Sequence, residues 1–398
     1  MTKPTTTLVY ASLGPELKVF ALDTTSGALT LLQTLLAPAS VQYAWPNRAR
    51  TRFYVALSQT GPAAKEQRPG HDFLETHDIL ADGRLARTGP VVKLTHRPIF
   101  ITLDAAEQHV LLAYNDPPDI TVHRLLPNGD VGEQVAQPDL QLGPTVHQVR
   151  VTPPGNLVVA PACAHHETGV DAGFISVLSY SAGRLAPSAK LEGLPERAAP
   201  WHGRRWGAHG FAVRHVDFHP TKPWMYLCVE RQGELWLYDY SDKTIGPKPR
   251  AIASTLEGID PGRSFQVAGG IKVHPNGRYV YVSNRANGNE GGQGEFDGGT
   301  NDIAVFELDP STGVPRFIQR VATLGIYPRT FAIDADKSVM VVGNEKPLVL
   351  KSGGQTRRIL PNLAVFRIGD DGRLTLLNQL MHPDNGEVCF WVDVLPLR

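Results

Sequence analysis

Residues Gly269 to Val321 read GGIKVHPNGRYVYVSNRAN, then a loop, then NDIAVFELDPSTGVPRFIQRV. Two apolar, β-branched segments flank the tight turn HPNG, and two more flank DPSTG, so the stretch predicts strand, turn, strand, loop, strand, turn, strand. Related copies begin near Val41, Arg97, Val146, Arg214 and Tyr327. A four-stranded unit that returns every roughly 40–50 residues indicates a repeat architecture in which each sheet buries its faces against its neighbours.

The seventh copy is divided between the two ends of the chain. The segment LVYASLGPELKVFALDTTSGALTLLQTL near the N-terminus supplies the last three strands of a unit, and VCFWVDVLP (Val388 to Pro396) supplies the missing first strand. This division suits a ring that is closed by pairing its two ends. The sequence therefore predicts an all-β, seven-bladed β-propeller with four antiparallel strands in each blade, the N- and C-terminal strands pairing in one blade. We expect residues 1–398 to form one domain.

Composition argues against several classes of function. The chain has 39 basic and 39 acidic residues, and this zero net charge argues against a general nucleic-acid or membrane-surface partner. No segment approaches the ~20 apolar residues that span a bilayer, and MTKPTTTLVY lacks the pattern of a signal peptide. Cys163, Cys228 and Cys389 have no metal-like spacing. Free thiols in a reducing compartment are their simplest explanation, so we expect a cytoplasmic protein.

The lengths of the connections indicate which face of the ring carries function. If the strands of a blade are labelled A to D from the axis outward, the A–B and C–D turns share one rim, and the B–C loops and blade-to-blade connections share the other. The A–B and most C–D turns are short. The long segments are residues 59–70, 162–173, 287–300 and 344–361, which are B–C loops, and 193–212, which joins blades four and five. Long loops on a rigid scaffold commonly carry binding or catalysis, so we place the site on their rim.

Charged and polar residues gather where this rim meets the axis. At the starts of A strands stand His96, Arg97, His147, Arg214, His215 and Arg329, and at the ends of B strands stand Asn115, Cys163, His165, His166, Glu230, Asn284, Arg285, Asn344 and Glu345. For any one of them a structural role is open, because propeller channels are often polar and an arginine can bridge neighbouring blades. The set as a whole, drawn from different blades, favours a functional pocket.

Four stretches resemble the lactonase, or 6-phosphogluconolactonase-like, family of seven-bladed propellers, which includes carboxy-cis,cis-muconate cyclase. They are VRHVDFHPTKPWMYLCVE (Val213 to Glu230), GGIKVHPNGRYVYVSNR (Gly269 to Arg285), YPRTFAIDADKSVMVVGNE (Tyr327 to Glu345) and PTVHQVRVTPPGNLVVAP (Pro144 to Pro161). The resemblance implies that His147, Arg214, Glu230 and Arg285 match the residues proposed for catalysis in this family.

The chain departs from the family pattern at three places on the mouth, which is the region where the long-loop rim meets the axis. Glu345 stands where glutamine is common, ACAHH (Ala162 to His166) replaces a turn that usually contains aspartate, and WHGRRWGAHG (Trp201 to Gly210) is peculiar to this chain. These departures bear on the identity of the substrate and leave the scaffold unchanged.

The predicted mouth has the groups that opening or closing a lactone requires. Glu230 and His147 can serve as an acid–base pair, and Arg214 and Arg285 can hold a carboxylate and stabilise an oxyanion. The remaining predicted substrate-binding residues are His96, Arg97, His215, Asn284, Arg329, Glu345, Trp201 and His209. So cationic a mouth suits a small anion such as a sugar acid, a phosphosugar lactone or a muconate.

Other types of site have weaker support in the sequence. His165, His166, His202 and His209 form a histidine cluster that could bind a metal with Cys163 as a further donor, but adjacent loop histidines are more often solvated or stacked. We therefore expect no metal and no cofactor. Trp201 and Trp206, beside two arginines, could stack on a cyclic substrate or anchor their own loop, and the glycine-rich segment Gly288 to Thr300 is better suited to a lid than to calcium.

Three functions remain in competition. The first is a metal-independent lactonase acting on a small anionic, sugar-acid type lactone. The second is a lactonising cyclase or isomerase of the muconate type, which would use the same acid, base and arginines without consuming water. The third is a non-enzymatic interaction propeller, against which the absence of a GH…WD signature and the gathering of charge at the axis both argue.

Overall fold

The structure is a computed structural model that describes residues 7–163, 173–197, 210–259, 266–286, 299–334, 338–352 and 355–397. The strands of these residues form seven antiparallel sheets, each with four strand positions from the axis outward, and one separate two-stranded sheet. The predicted seven-bladed β-propeller is confirmed. Within the described ranges no helix is long and apolar enough to cross a membrane.

The first four blades follow the chain from the N-terminus. Blade one contains β1 (Thr7–Leu13), β2 (Glu16–Leu22), β3 (Leu29–Leu36) and β31 (Val392–Pro396). Blade two contains β4 (Ser40–Pro46), β5 (Arg52–Ser58), β6 (Asp72–Ile79) and β7 (Leu85–Lys93). Blade three contains β8 (Pro98–Leu103), β9 (His109–Asn115), β10 (Pro118–Leu125) and β11 (Val131–Val135). Blade four contains β12 (Thr145–Val146), β13 (Arg150–Val151), β14 (Leu157–Cys163), β15 (Phe174–Ser181) and β16 (Arg184–Glu192).

The last three blades complete the ring. Blade five contains β17 (Val213–Phe218), β18 (Trp224–Val229), β19 (Glu234–Asp239) and β20 (Ala251–Ser254). Blade six contains β21 (Gln266–Val273), β22 (Tyr279–Ala286), β23 (Asp302–Leu308) and β24 (Pro315–Ala322). Blade seven contains β25 (Pro328–Ile333), β26 (Val339–Asn344), β29 (Asn362–Ile368) and β30 (Leu374–Met381). A 3-10 turn (Pro195–Arg197) follows blade four.

The predicted loop 344–361 carries a hairpin that the sequence reading missed. Strands β27 (Leu348–Ser352) and β28 (Gln355–Ile359) pair with each other, from Leu348 opposite Ile359 to Ser352 opposite Gln355. The hairpin is tied to the ring through Leu348, which is buried against Val267 and Ile326. The loop rim above blade seven is therefore more ordered than its length alone suggests.

The ring closes where the prediction placed the closure. Strand β31 is the innermost strand of blade one and pairs with β1, from Thr7 opposite Pro396 to Ala11 opposite Val392. Two further hydrogen bonds extend this pairing: the Ser12 N–H donates to the Trp391 carbonyl, and the Trp391 N–H donates to Ser12 Oγ, each at 2.9 Å. The first strand edge of the chain is thus covered by its last strand.

Apolar side chains between neighbouring blades hold the ring together. Between blades four and five, for example, Leu157 and Ile175 pack with Met225 and Trp236, all nearly inaccessible to water. Comparable clusters occupy each of the other interfaces between adjacent blades in the described part of the chain. Burial of each large side chain contributes about 1.5–3 kcal/mol, so the interfaces are the main source of stability.

Tyrosines on second strands fasten neighbouring blades at the short-turn rim. Each donates its hydroxyl hydrogen to the carbonyl of the glycine in the C–D turn of the next blade. The pairs are Tyr10 to Gly83 at 2.9 Å, Tyr54 to Gly129 at 2.9 Å, Tyr226 to Gly313 at 2.8 Å and Tyr281 to Gly372 at 2.9 Å. These repeated bonds stiffen one rim of the ring and leave the opposite rim for the longer loops.

Candidate active site

A repeated irregularity of the inner strands directs side chains into the axis near the long-loop rim. In blades two, three, five, six and seven the inner strand has one more residue than the strand it pairs with. The extra residue is Arg214 in blade five and Arg329 in blade seven, because their neighbours on both sides are in register. Such bulges rotate one side chain out of the regular alternation, which is a common device next to active sites.

Blade four has a larger interruption at the same level. Its inner strand is split into β12 and β13, and the three residues between them, beginning with His147, leave the regular ladder. The His147 N–H still donates to the Pro161 carbonyl at 2.9 Å, so its backbone stays attached to β14. His147 is thereby placed beside the residues that blades five and six contribute.

Glu230 lies at the centre of the predicted catalytic group. It follows β18, whose residues Trp224–Val229 are buried between blades, and its own side chain keeps 15% of its surface exposed. Arg285 Nη2 donates to Glu230 Oε1 at 3.0 Å, and Arg214 Nε lies 3.4 Å from Oε2. One carboxylate therefore bridges two arginines from blades five and six, as the sequence placed them.

The two arginines decide the ionisation of this carboxyl group. Burial by itself would raise the Glu230 pKa, but the charges of Arg285 and Arg214 outweigh it and lower the pKa to about 2. Burial, with the neighbouring Arg285, lowers the Arg214 pKa to about 10. Glu230 is an anion and Arg214 a cation over the whole neutral pH range.

His147 is held in its uncharged form. Burial, followed by the charge of Arg214, lowers its pKa to about 3. Its Nδ1 is inaccessible to water and has no hydrogen-bond partner among the described residues. An uncharged imidazole with an uncommitted ring nitrogen can exchange a proton with a bound molecule.

A second group of charges, Arg97, Arg329 and Glu345, comes from blades three and seven. Arg329 Nη1 lies 3.4 Å from Glu345 Oε2, and its guanidinium carbon lies 3.7 Å from the centre of the Phe390 ring. Arg97 Nε donates to Gln42 Oε1 at 2.9 Å. Burial lowers the Arg97 pKa to about 10, with partial compensation from Glu345. The two groups of charges interact, because the cations Arg329 and Arg285 repel each other.

The other predicted substrate-binding residues differ in their placement. His215 is buried beside Arg214, whose Nη1 lies 3.2 Å from its Nδ1, and burial lowers the His215 pKa well below its usual value. His215 also lines a cavity together with Tyr43, Phe100, Arg150 and Arg329. His96 packs edge-on against Tyr114 at 6.4 Å between ring centres.

Asn284 is engaged in bonds inside the ring. Its amide nitrogen donates to the Thr255 carbonyl at 2.9 Å and to Asp302 Oδ1 at 2.8 Å, and its oxygen accepts from Thr255 Oγ1 at 2.8 Å. Asn344 makes the same three kinds of bond one blade later, with Thr323 and Asn362. This placement gives Asn284 a bracing role between blades, and its predicted contact with substrate gains no support from it.

Several predicted residues lie outside the described part of the chain. Trp201, Trp206 and His209 belong to this group, as do His165, His166 and His202 of the proposed histidine cluster and most of the glycine-rich segment. Their roles stay predictions. Cys163, the further donor proposed for that cluster, is described, and its Sγ lies 3.8 Å from Glu230 Oε2.

Tyr327 is a site residue that the sequence reading missed. The centre of its ring lies 4.6 Å from the Arg285 guanidinium carbon and 4.4 Å from Lys346 Nζ, so two cations contact one ring. Its backbone has a φ of 61°, in the left-handed region that non-glycine residues adopt infrequently. The available signal was an aromatic residue directly before the Pro328–Arg329 pair, which begins β25 at the mouth.

Comparison with known proteins shows which family this chain belongs to. Residues 6–349 match the model of the family described as lactonase, 7-bladed beta-propeller. This chain belongs to that lactonase family. Among curated relatives, 6-phosphogluconolactonase of Bacillus subtilis (strain 168) is 26% identical over 289 residues, covering 70% of this chain and 69% of the relative. The 6-phosphogluconolactonase of Yersinia pestis (strain Pestoides F) is 23% identical over 381 residues, covering 95% and 94%.

Solved structures support the fold of this lactonase-family protein. A protein from Lactobacillus plantarum superposes with a TM-score of 0.70 at 19% identity, covering 99% of this chain and 100% of the other. The Pseudomonas aeruginosa periplasmic gluconolactonase PpgL superposes with a TM-score of 0.69 at 17% identity, covering 96% and 98%. At sequence identities this low, the superpositions support the fold alone. Family membership and the curated relatives together identify the chain as an enzyme of the lactone-hydrolase class.

Proposed function

We propose that this enzyme hydrolyses a small anionic lactone of the sugar-acid type at the axial mouth, without a metal ion. The observation that carries the proposal is one carboxylate, Glu230, held between Arg214 and Arg285 beside the uncharged His147. Acid–base chemistry, oxyanion stabilisation and anion recognition are thereby available within one small volume.

The charge of the mouth favours an anionic substrate. Five arginines, namely Arg97, Arg214, Arg231, Arg285 and Arg329, are coupled electrostatically to two glutamates, Glu230 and Glu345. Positive charge therefore exceeds negative charge in a region largely withdrawn from water, where charge interactions are strong. An entering carboxylate or phosphate relieves the repulsion among the arginines, whereas a neutral ester does not.

The low pKa of Glu230 determines which member of the predicted acid–base pair can transfer a proton. A carboxyl group with a pKa of about 2 is ionised at neutral pH and cannot supply a proton there. We assign proton transfer to His147, which takes a proton from the attacking water and returns it to the leaving alkoxide. The negative charge of Glu230 raises the His147 pKa and so stabilises the charged imidazole, as the carboxylate of a hydrolase triad does. A bound anion offsets the arginine charges and so raises the His147 pKa toward a useful range.

Arg214 and Arg285 stabilise the negative charge that develops during the reaction. The buried Arg285 Nε–H has no hydrogen-bond partner among the described residues, although Nη2 is bonded to Glu230 and to the Ala268 carbonyl. An uncommitted N–H of this kind can donate to the oxygen of the opening lactone or to a substrate carboxylate. Tyr327, stacked on the Arg285 guanidinium, limits its movement.

Ring opening in heavy-oxygen water tests the reaction type. With chelator-treated protein and an anionic sugar lactone, we expect one labelled oxygen in the product carboxylate, because water adds to the carbonyl as the ring ester bond breaks. A neutral lactone of the same ring size serves as the control and should react more slowly. Catalysed isomerisation without label would instead support the cyclase alternative, and activity that disappears on chelation and returns with metal would contradict metal independence.

Anion binding to the mouth is a separate expected result. Citrate, phosphate or a sugar acid should raise the melting temperature, because a ligand that binds only the native state stabilises it by mass action. Arg214→Ala and Arg285→Ala should each show a smaller rise, measured against the melting temperature of the same variant without anion. Arg68→Ala, at a residue whose side chain is 61% exposed, is the control and should respond as the parent does. Equal responses in all variants would place the anion elsewhere.

We retain the cytoplasm as the predicted location. Cys163, Cys228 and Cys389 are buried and unpaired, which suits a reducing compartment. The periplasmic location of the Pseudomonas aeruginosa structural neighbour is a property of that protein.

A further inference from the structure

Three potential metal ligands meet in the mouth, contributed by two blades. A ring nitrogen of His147, the sulfur of Cys163 and a carboxylate oxygen of Glu230 all lie within 4.8 Å of one another. His147 interrupts the inner strand of blade four, Cys163 ends β14, and Glu230 follows β18. We propose that these three side chains form a binding site for a thiophilic divalent cation, with Zn²⁺ as the best fit.

The spacing of the ligand atoms is close to what zinc requires. Zinc bonds of about 2.0–2.3 Å in tetrahedral geometry hold ligand atoms about 3.3–3.8 Å apart. Cys163 Sγ and Glu230 Oε2 are already 3.8 Å apart. Small side-chain rotations would bring the His147 nitrogen to the same separation. Three protein ligands leave the fourth position open to water or another small molecule.

The types of ligand select among metals. Sulfur and imidazole nitrogen favour Zn²⁺ and its chemical relatives Co²⁺ and Cd²⁺ over Mg²⁺ and Ca²⁺, which prefer oxygen. His147 Nδ1 has no hydrogen-bond partner among the described residues, so coordination there displaces no protein hydrogen bond. Cys163 Sγ donates to the Val213 carbonyl at 2.8 Å. On binding, the S–H bond breaks, its proton leaves to solvent, and the sulfur forms the metal bond.

The neighbouring arginines allow this coordination because the two oxygens of the Glu230 carboxylate can bind different partners. Oε1 remains with Arg285 at 3.0 Å, while Oε2, which lies 3.4 Å from Arg214 Nε and 3.8 Å from Cys163 Sγ, turns to the metal. Hydrogen bonds to a ligating carboxylate are usual around metal sites and help to orient it. Because the cysteine loses a proton, binding of Zn²⁺ adds one positive charge to the mouth and not two, which limits the repulsion from the arginines.

Occupation of this site removes two groups from the proposed reaction. His147 can no longer exchange protons at the coordinated nitrogen, and one oxygen of Glu230 is engaged. Zinc is therefore an inhibitor of this enzyme. That consequence rests on the proposed lactonase function, whereas the metal site itself does not, so binding and inhibition are measured separately.

The binding test uses the full-length, chelator-treated protein titrated with Co²⁺, whose bond to a thiolate produces a charge-transfer band in the near ultraviolet. We expect one equivalent to produce the band, Zn²⁺ to abolish it by displacement, and equal concentrations of Mg²⁺ or Ca²⁺ to leave it unchanged. Cys163→Ser should lack the band, and His147→Gln should weaken metal affinity about tenfold or more. Cys389→Ser, which removes another buried thiol, is the matched control and should keep the parental band and affinity.

Two results would overturn the site. A charge-transfer band that persists in Cys163→Ser would assign the metal to another sulfur, and parental zinc affinity in both Cys163→Ser and His147→Gln would assign it to other ligands. Thermal melting of each variant confirms folding, and Cys163→Ala replaces the serine variant if that one does not fold. Activity is then compared with and without zinc in each protein: stronger activity with zinc would refute inhibition, and no activity in the metal-free parent would instead count against the lactonase proposal.

Discussion

Replacing Glu230 by glutamine lowers the turnover number by about 100-fold or more, because the carboxylate that supports a catalytic histidine contributes on at least that scale. Glutamine keeps the size of the side chain and part of its hydrogen bonding but removes the negative charge. Without that charge, the imidazolium that forms on His147 is no longer stabilised in a mouth that already contains Arg214 and Arg285. The variant should still bind the anionic ligand, because the arginines remain.

A purely structural role for Glu230 makes a different prediction. If the carboxylate only braces blades five and six, its loss lowers stability and leaves turnover per folded molecule near the parental value. Some loss of stability is expected in either case, since two buried arginines lose their shared counter-charge. Melting temperature and turnover number must therefore be measured on the same preparation. A folded variant with parental turnover would contradict the catalytic assignment.

Glu234 offers a matched control in the same blade. It is also a largely buried glutamate bonded to an arginine, since Arg197 Nη1 donates to its Oε1 at 2.9 Å and Trp236 Nε1 donates to its Oε2 at 2.7 Å. Glu234→Gln should lower stability through the loss of those bonds and leave turnover unchanged. The difference between the two variants isolates the contribution of the mouth.

Deleting residues 388–398 abolishes the folded state. The deletion removes β31, which pairs with β1 over five residues from Val392 to Pro396. It also removes Trp391, which packs edge-on against Phe53 at 5.5 Å in the interface between blades one and two. The exposed edge of β1 and the opened ring favour aggregation. We expect insoluble or molten protein, judged by soluble yield and by the loss of a cooperative thermal transition.

Point variants separate ring closure from ordinary loss of packing. Trp391→Ala leaves the strand in place and should cost about 3–5 kcal/mol, the usual range for removing a buried aromatic side chain. Leu36→Ala, at a residue that is 66% exposed, should change stability by less than about 0.5 kcal/mol. Cooperative, unshifted melting of the truncated chain would show that β31 is dispensable and that the closure is wrongly assigned.

The sequence supported the fold because the repeat is redundant. Each copy of the unit carries its own turns and apolar segments, so the strand order of a blade and the rim of its long loops can be read from several copies. The number of copies gives the number of blades. The closure by Val388 to Pro396 could be inferred because one unit lacked its first strand. The hairpin β27–β28 appears once, without a second copy to compare, and it was read as a loop.

The positions of the candidate site residues could be predicted from the sequence better than their side-chain directions and ionisation. Arg214, Glu230 and Arg285 could be brought together from strand order alone, because strand ends on one rim converge at the axis. Asn284 shared that position, yet its side chain is engaged with Thr255 and Asp302. Position along a strand does not reveal which way a side chain points once the ladder contains an extra residue.

The sequence by itself determined the architecture of this protein, since it follows from periodicity, and loop length predicted the rim of the candidate site. Only the tertiary structure decided what the residues of that site are able to do. Whether Glu230 is a proton donor or a permanent anion depends on the distances to Arg214 and Arg285, and the state of His147 depends on burial beside the same charges. Ionisation depends on the sum of burial and charge contributions from groups distant in sequence, and that sum is defined only when the blades have closed around the axis.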